Sequence, residues 1–429
     1  MKIPNKKYVY GALAVLVAII VAILAIPSEK PGTPHAIRGI NAVITNEMSD
    51  CEGLVKMEKD VKYFMQKWQI RGMELAVMRG DSLLYAKGFG VADQSTEEPM
   101  RPGTIMRVGS VSKLLTAAGI MKLVEDGKLR LSDKVFGPHG ILNDTLFTNN
   151  IKDKAYFDIT VEQLLRHESG LTIRRGDPMF RMRDWMTIYR LTEVPDQEKL
   201  TSIAVRQRLG YAPGKGHEYS NFGYLLLSMI IERKTGKDYE KWMQEHVLEP
   251  AGCMDCHLAH NSYEEKMPGE TRYHMQDNDP PVPKYDNSAD SVVRCYGGND
   301  IRLLKGAGAW VMSAPELARF IASIDGKPGV PDILSKKSVR EMTAHSEDHK
   351  FGLGWNSVDP KKGWQRTGSL SGTSAYVTVF PDGECWILIS NTHAWKGPRF
   401  SRTVHNFLQQ CRQRYSAKLP ENDLFTLIQ

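Results

Sequence analysis

The sequence predicts an α+β fold: an antiparallel β-sheet flanked by N- and C-terminal helices, with a mostly helical lobe inserted between its halves. Three observations carry that reading. Strand-turn-strand patterns lie near both ends of the folded part, at 74–78 and 82–87 around Arg79-Gly80-Asp81 and at 375–380 and 384–390 around Pro381-Asp382-Gly383. Outside each hairpin the apolar residues change to helical spacing, through Leu54, Val55, Met57, Val61, Phe64, Met65 and Trp68 at one end and over 402–415 at the other. Between the hairpins the periodicity is helical, at 110–126, 160–166, 222–235, 238–248 and 314–324. Strands at both ends with helices between them close one sheet and leave the helices as an insertion.

In chain order, Lys2, Lys6 and Lys7 precede residues 9–26, an uncharged run rich in Ala, Val, Leu and Ile. At 1.5 Å per residue this run spans roughly 27 Å, the thickness of a bilayer core, and the lysines place its N-terminal end in the cytoplasm. The run closes on Ala25-Ile26-Pro27 without a small-residue cleavage pattern, so an uncleaved single-pass anchor over 1–26 is the expectation. A cleaved signal peptide, releasing a secreted protein, is the alternative. Either way the rest of the chain is expected outside the cytoplasmic membrane, in a periplasm-like space. Residues 27–50, opening on a Pro- and Gly-bearing stretch, read as a linker. The folded domain is expected over 51–417, with the helical lobe at about 131–299 and a tail at 418–429. Polar segments around 174–200 and 261–300 read as insertions.

Composition narrows the function classes. Hydrophobic residues are 41%, and Gly plus Pro make up 58 of 429 residues, which excludes disordered and collagen-like chains. Half of the formal net charge of +6 comes from the first 30 residues, where four lysines stand against Glu29. The remainder has no basic excess that would suit nucleic acid. Oligomeric state is not legible. The six cysteines, Cys51, Cys253, Cys256, Cys295, Cys385 and Cys411, are an even number in a chain expected to be exported, so disulfides are allowed without a readable pairing. Cys253-x-x-Cys256-His257-x-x-His260 has zinc-ligand residue types, but structural zinc sites draw their ligand pairs from segments set well apart. An ordinary loop or a disulfide is expected there, and no metal.

The chain lacks H-E-x-x-H, G-x-x-x-x-G-K-[ST], G-x-G-x-x-G and G-x-S-x-G. It does contain Ser110-Val111-Ser112-Lys113 at the start of a helix, where residues three apart share a face. A desolvated lysine amine can take the proton of a serine hydroxyl, and free N–H groups at a helix start suit a developing oxyanion. Alone, the pattern is more often an N-cap with a solvated lysine. Two further stretches change that balance. Tyr219-Ser220-Asn221 ends a loop just before an apolar helix, so Tyr219 and Asn221 can share one side of an extended segment. Arg366-Thr367-Gly368-Ser369 precedes the second hairpin; Gly368 would let a substrate approach the backbone and the Ser369 N–H would donate to it. Singly, these read as a core aromatic, a helix cap and a turn.

In this order, S-x-x-K at 110–113, Y-S-N at 219–221 and R-T-G at 366–368 resemble the three active-site motifs of the serine β-lactamase and penicillin-binding superfamily. The tyrosine narrows the resemblance to the class C β-lactamase-like group, which includes D-alanyl-D-alanine carboxypeptidases, D-aminopeptidases and esterases. The likeness extends over about 360 residues and takes in L-L-R-H-E-S-G-L at 164–171 and F-G-L-G-W at 351–355. It implies a hydrolase that cleaves an ester or amide through an acyl-enzyme on Ser110, with Lys113 and Tyr219 sharing the base and acid work. Asn221, Arg366, Thr367, Gly368 and Ser369 would hold the substrate, and the Ser110 and Ser369 N–H groups would form the oxyanion hole. The implied substrate is a small molecule or a peptide, cell-wall peptides included, and no cofactor is implied. His167 is expected to be structural. A true class C β-lactamase and a catalytically idle penicillin-binding-like sensor or scaffold are the alternatives. Arg366 departs from the Lys or His common before T-G in the group. An arginine stays protonated, so it can anchor a carboxylate or bias the Tyr219 pKa, but it cannot shuttle a proton.

Overall fold

The computed structural model describes residues 36–346, 349, 351–393 and 396–428. The apolar run at 9–26, with its expected role as anchor or signal, lies outside the described residues. Among those described, no helix is long and apolar enough to cross a membrane.

The strands, in chain order, are β1 (Gly72–Arg79), β2 (Ser82–Asp93), β3 (Glu98–Pro99), β4 (Met106–Arg107), β5 (His257–Leu258), β6 (Trp310–Met312), β7 (Ser357–Asp359), β8 (Gly363–Leu370), β9 (Thr373–Val379) and β10 (Glu384–Ser390). Seven form one sheet in the order β3-β2-β1-β10-β9-β8-β7, every neighbouring pair antiparallel. The β1–β10 ladder, from Met73 against Ser390 to Arg79 against Glu384, joins the N- and C-terminal parts of the sheet-bearing domain. β4, β6 and β5 form a small second sheet.

Five helices matter for the site and its support: α1 (Val55–Trp68), α2 (Ser112–Glu125), α3 (Asn221–Thr235), α4 (Ala314–Ala322) and α5 (Phe400–Tyr415). α1 buries Met57, Val61, Phe64 and Met65, and α5 buries Phe400, Val404, Leu408, Cys411 and Tyr415; each set is one stripe at helical spacing. These stripes cover the sheet face made by Leu75, Val77, Trp386 and Leu388, where Phe64 stacks on Phe407 with centroids 4.2 Å apart. The opposite face, with Ala76, Ala375, Val377 and Ile387, packs on α4, α2 and α3 in a larger core. α2 and α3 are apolar nearly all round, as befits helices buried inside a domain.

Several expectations need correction. Residues 37–50, read as a linker, form two short 3₁₀ turns that bury Ile40 and Ile44 in the core. The tail at 418–429 likewise buries Leu424 and Phe425, and the Asp423 carboxylate accepts the Leu83 N–H at 2.9 Å. The segment around 174–200, read as a polar insertion, holds helices at Met182–Ile188 and Gln197–Ala204, the second capped by Asp196. Stretch 366–369 does not merely precede a hairpin strand. It lies inside β8, whose glycines and polar residues hide a strand that the β9 ladder enforces.

Candidate active site

Ser110 sits in a 3₁₀ turn, Gly109–Val111, that leads directly into α2. Gly109 takes φ +53°, a left-handed conformation that glycine enters without cost, and this turn aims the Ser110 backbone at β8. Lys113 follows one turn later and is fully buried. Its Nζ lies 3.3 Å from Ser110 Oγ, donates to Asn221 Oδ1 at 2.7 Å, and donates to the Ala307 carbonyl. That carbonyl is presented by a turn in which Lys305 has φ +39°, an unfavourable geometry for a side-chain-bearing residue, held in part by the 2.6 Å pair of Lys305 with Glu232.

Ser220 caps α3 by accepting the Gly223 N–H at 3.1 Å, and its neighbours on either side turn to the same site. The Tyr219 and Ser110 hydroxyls share a hydrogen bond of 2.7 Å. Asn221 accepts from Lys113 and donates through Nδ2 to Asp177 Oδ2 at 2.7 Å, while Asp177 Oδ1 accepts the Met179 N–H at 2.9 Å. Asp177 went unrecognised in the sequence, where Asp-Pro signals only a turn. Its link to Asn221 is a tertiary contact.

β8 closes the third side. Its Gly368 lies so near the Ser110 turn that a Cβ there would come within 1.9 Å of the Val108 carbonyl oxygen and 3.0 Å of Ser110 N. Successive N–H groups in a strand point to opposite edges. The Thr367 N–H donates away from β9, to Asn356 Oδ1 at 2.8 Å, so the Ser369 N–H two residues on emerges at the same edge, beside Ser110. Asn356 was also missed; it directly follows the F-G-L-G-W stretch and also accepts from the Thr367 hydroxyl at 3.2 Å.

Arg366 sits where it can bias Tyr219 and not where it can anchor a substrate carboxylate. It was placed among the substrate-holding residues, but its side chain is fully buried. Its Nε donates to the Ser110 carbonyl at 2.7 Å and its Nη2 donates to Tyr219 Oη at 3.1 Å. Arg366 and Gly368 point to the face of the sheet that packs on α2, which places the guanidinium behind Ser110 and Tyr219. Of the other sequence-derived residues, all but the buried Lys113 line one cleft of about 330 Å³: Ser110, Tyr219, Asn221, Thr367, Gly368 and Ser369.

Burial lowers the Lys113 pKa to about 8, aided by the Arg366 charge and opposed by Tyr219. Burial pushes the Tyr219 phenol up, but the charges of Lys113 and Arg366, with hydrogen bonds from Lys113 and Ser110, outweigh it and hold the phenol below its usual value. Two groups that ordinarily stay protonated at neutral pH thus meet at one serine oxygen with both proton affinities reduced. His167 packs on Tyr219 with ring centroids 4.4 Å apart, and its Nδ1 accepts the Ser220 N–H at 3.2 Å. Burial and the two nearby cations keep it neutral, which fits a supporting role.

The cysteine-histidine run lies elsewhere, with both thiols at Glu316 and His257 turned away from them. Cys253 Sγ donates to the Glu316 carbonyl at 3.2 Å and Cys256 Sγ donates to Glu316 Oε2 at 3.7 Å, whereas His257 faces Glu270. Among the described residues no group of His, Cys, Asp and Glu is gathered to hold a metal, and all six cysteines are free thiols.

The family described as Beta-lactamase matches residues 57–409, the span that holds the whole sheet and all three motifs. The chain belongs to that family. A penicillin-binding protein of Bacillus subtilis (strain 168) is 29% identical over 189 residues, 44% of this chain and 38% of that protein. Protein flp of Staphylococcus aureus (strain N315) is 26% identical over 342 residues, 78% of this chain and 62% of that protein. The chain thus spans less than two thirds of either relative. Among solved structures, a D-amino acid amidase from Ochrobactrum anthropi SV3 superposes with a TM-score of 0.64 at 21% identity, covering 85% of this chain and 99% of its own. FmtA from Staphylococcus aureus does so at 0.61 and 17%, covering 84% and 91%. At these identities the two structures establish the fold.

Proposed function

We propose that this chain is an exported serine hydrolase of the class C-like group, cleaving an ester or amide through an acyl-enzyme on Ser110. The observation that carries the reading is the convergence on Ser110 Oγ of Tyr219 Oη at 2.7 Å and Lys113 Nζ at 3.3 Å, at the wall of an open cleft. Tyr219, having passed its proton to the Lys113 amine, takes the Ser110 proton as Oγ bonds to the substrate carbonyl carbon. The carbonyl oxygen becomes an anion between the Ser110 and Ser369 N–H groups; such a donor contributes about 3 kcal/mol to the transition state. As the bond to the leaving alcohol or amine breaks, Tyr219 returns the proton to that group. Water then attacks the acyl carbon along the same route and frees Ser110. Asn221, fixed by Lys113 and Asp177, and Thr367 would hold the substrate beside the serine.

The test is labelling by a fluorophosphonate and by a fluorescent penicillin, together with turnover across esters, D-amino-acid peptides and a chromogenic cephalosporin. Ser110→Ala is expected to abolish labelling and turnover with an unchanged melting temperature. Lys113→Ala and Tyr219→Phe are each expected to slow turnover by about 10² to 10⁴. A Ser110→Ala protein that turns over substrate at the parent rate defeats the mechanism. Export rests on Lys2, Lys6 and Lys7 before the apolar run. Retention in membranes after alkaline carbonate washing and cleavage by protease added outside the cytoplasmic membrane are the expected results. A soluble form starting shortly after Ala25 would mean that the run is a cleaved signal.

A further inference from the structure

We infer that the substrate is neutral and carries an apolar group, seated in a channel between the β-sheet and the N-terminal part of α5; the inference rests on the hydrolase reading above.

The channel follows from strand register. Thr367 and Ser369 stand opposite Tyr376 and Ser374 in β9, and Tyr376 stands opposite Leu388 in β10, so these side chains share one face of the sheet. That face is the one α5 covers. β7 pairs with β8 only at 363–365, which leaves the edge of β8 beside Ser110 open. The cleft therefore runs from Ser110 past Ser369 and round β8 onto the covered face. There it is walled by Tyr376, Leu388, Phe400 and Val404, with Ser374 and Ser401 as its polar groups.

No charged side chain lines this cleft among the described residues. Lys113 and Arg366, the cations behind Ser110 and Tyr219, have no exposed surface and donate to Ser110, Tyr219, Asn221 and the Ala307 carbonyl, with Arg366 Nη1 buried and without a hydrogen-bond partner. A carboxylate entering the channel would lose its water and meet no charged side chain in the lining, only the weaker positive end of α5, a costly exchange. An alkyl or aryl group would gain the free energy of apolar burial there. The same chemistry disfavours a peptide ending in a free carboxylate in this channel.

The experiment measures kcat/KM of the full-length protein on two ester series: p-nitrophenyl acyl esters from acetate to octanoate, and acetates of alcohols from ethanol to octanol. Each acyl ester is paired with a same-length analogue ending in a carboxylate. The expected result is a rise of at least tenfold along one of the series, at up to about fourfold per methylene, with the carboxylate analogue at least tenfold poorer than its neutral partner. Val404→Trp, which fills the channel, is expected to flatten the rising series; if that variant does not fold, the wild-type series decide alone. Flat profiles in both series, preference for the carboxylate analogue, or a length gain that survives a folded Val404→Trp overturns the inference. Labelling of Ser110 by fluorophosphonate without turnover of any ester overturns the substrate class alone. Absence of labelling overturns the hydrolase reading and this inference with it.

Discussion

Arg366, for which the sequence leaves a carboxylate anchor or a bias on Tyr219, is sealed behind Tyr219 with Nη2 3.1 Å from the phenol oxygen. A buried cation there favours loss of a proton from both partners of the pair: it stabilises the phenolate of Tyr219 and disfavours a charged Lys113. Arg366→Gln removes the charge, so both groups hold their protons to higher pH. If activity needs one proton to have left the pair, the acid limb of kcat/KM moves upward, and turnover lost at pH 7 returns in part above pH 8. Neutral and carboxylate-bearing esters are expected to lose rate together, since the guanidinium does not reach the cleft. A loss confined to acidic substrates would restore the carboxylate-clamp role.

At the scale of elements, the site depends on how closely β8 approaches the turn before α2. Gly368→Ala places a methyl group 1.9 Å from the Val108 carbonyl oxygen, a contact that only movement of the strand relieves. The Ser369 N–H would move away from Ser110 with it. The expected outcome is a fall of more than about 10² in labelling rate, the scale of losing one oxyanion donor, and a lower melting temperature. The Ser110–Tyr219 hydrogen bond is carried by other elements and is expected to survive. Labelling at the parent rate would place the oxyanion donors elsewhere. The α3 cap is a second support, because Ser220 fixes the helix start between the two residues that reach Ser110 and Lys113.

At the scale of the whole domain, its first and last elements hold the sheet together. β1 and β10 are neighbours, α1 and α5 share one layer, and residues 424 and 425 plug the core on the other face. Deleting 420–429 removes a buried leucine and a buried phenylalanine, each worth about 2 to 5 kcal/mol, so the melting temperature is expected to drop by roughly 10 °C. Calorimetry of the truncated protein checks this; an unchanged transition would mean that the segment adheres without contributing to stability. The active site should lose activity in parallel with the transition, because β8 is held to the rest of the sheet only through β9.

The sequence determined what depends on local spacing. Ser110 and Lys113 are one helical turn apart, so any helix starting at 110 brings amine and hydroxyl together, and the two hairpins carry their own turns. Tyr219 and Asn221 share a side because one residue separates them in extended chain. Tertiary structure decided what depends on contacts between distant segments. Asp177 matters because Asn221, 44 residues away, turns toward it. Asn356 matters because β8 passes it, and Arg366 is buried because the turn at Ser110 covers it. The packing of 37–50 and 418–429 has the same origin. Apolar residues in short, polar-flanked segments read as linker or tail until the surface they cover exists. That surface forms only when β1 and β10, some 300 residues apart in sequence, pair at the centre of the sheet.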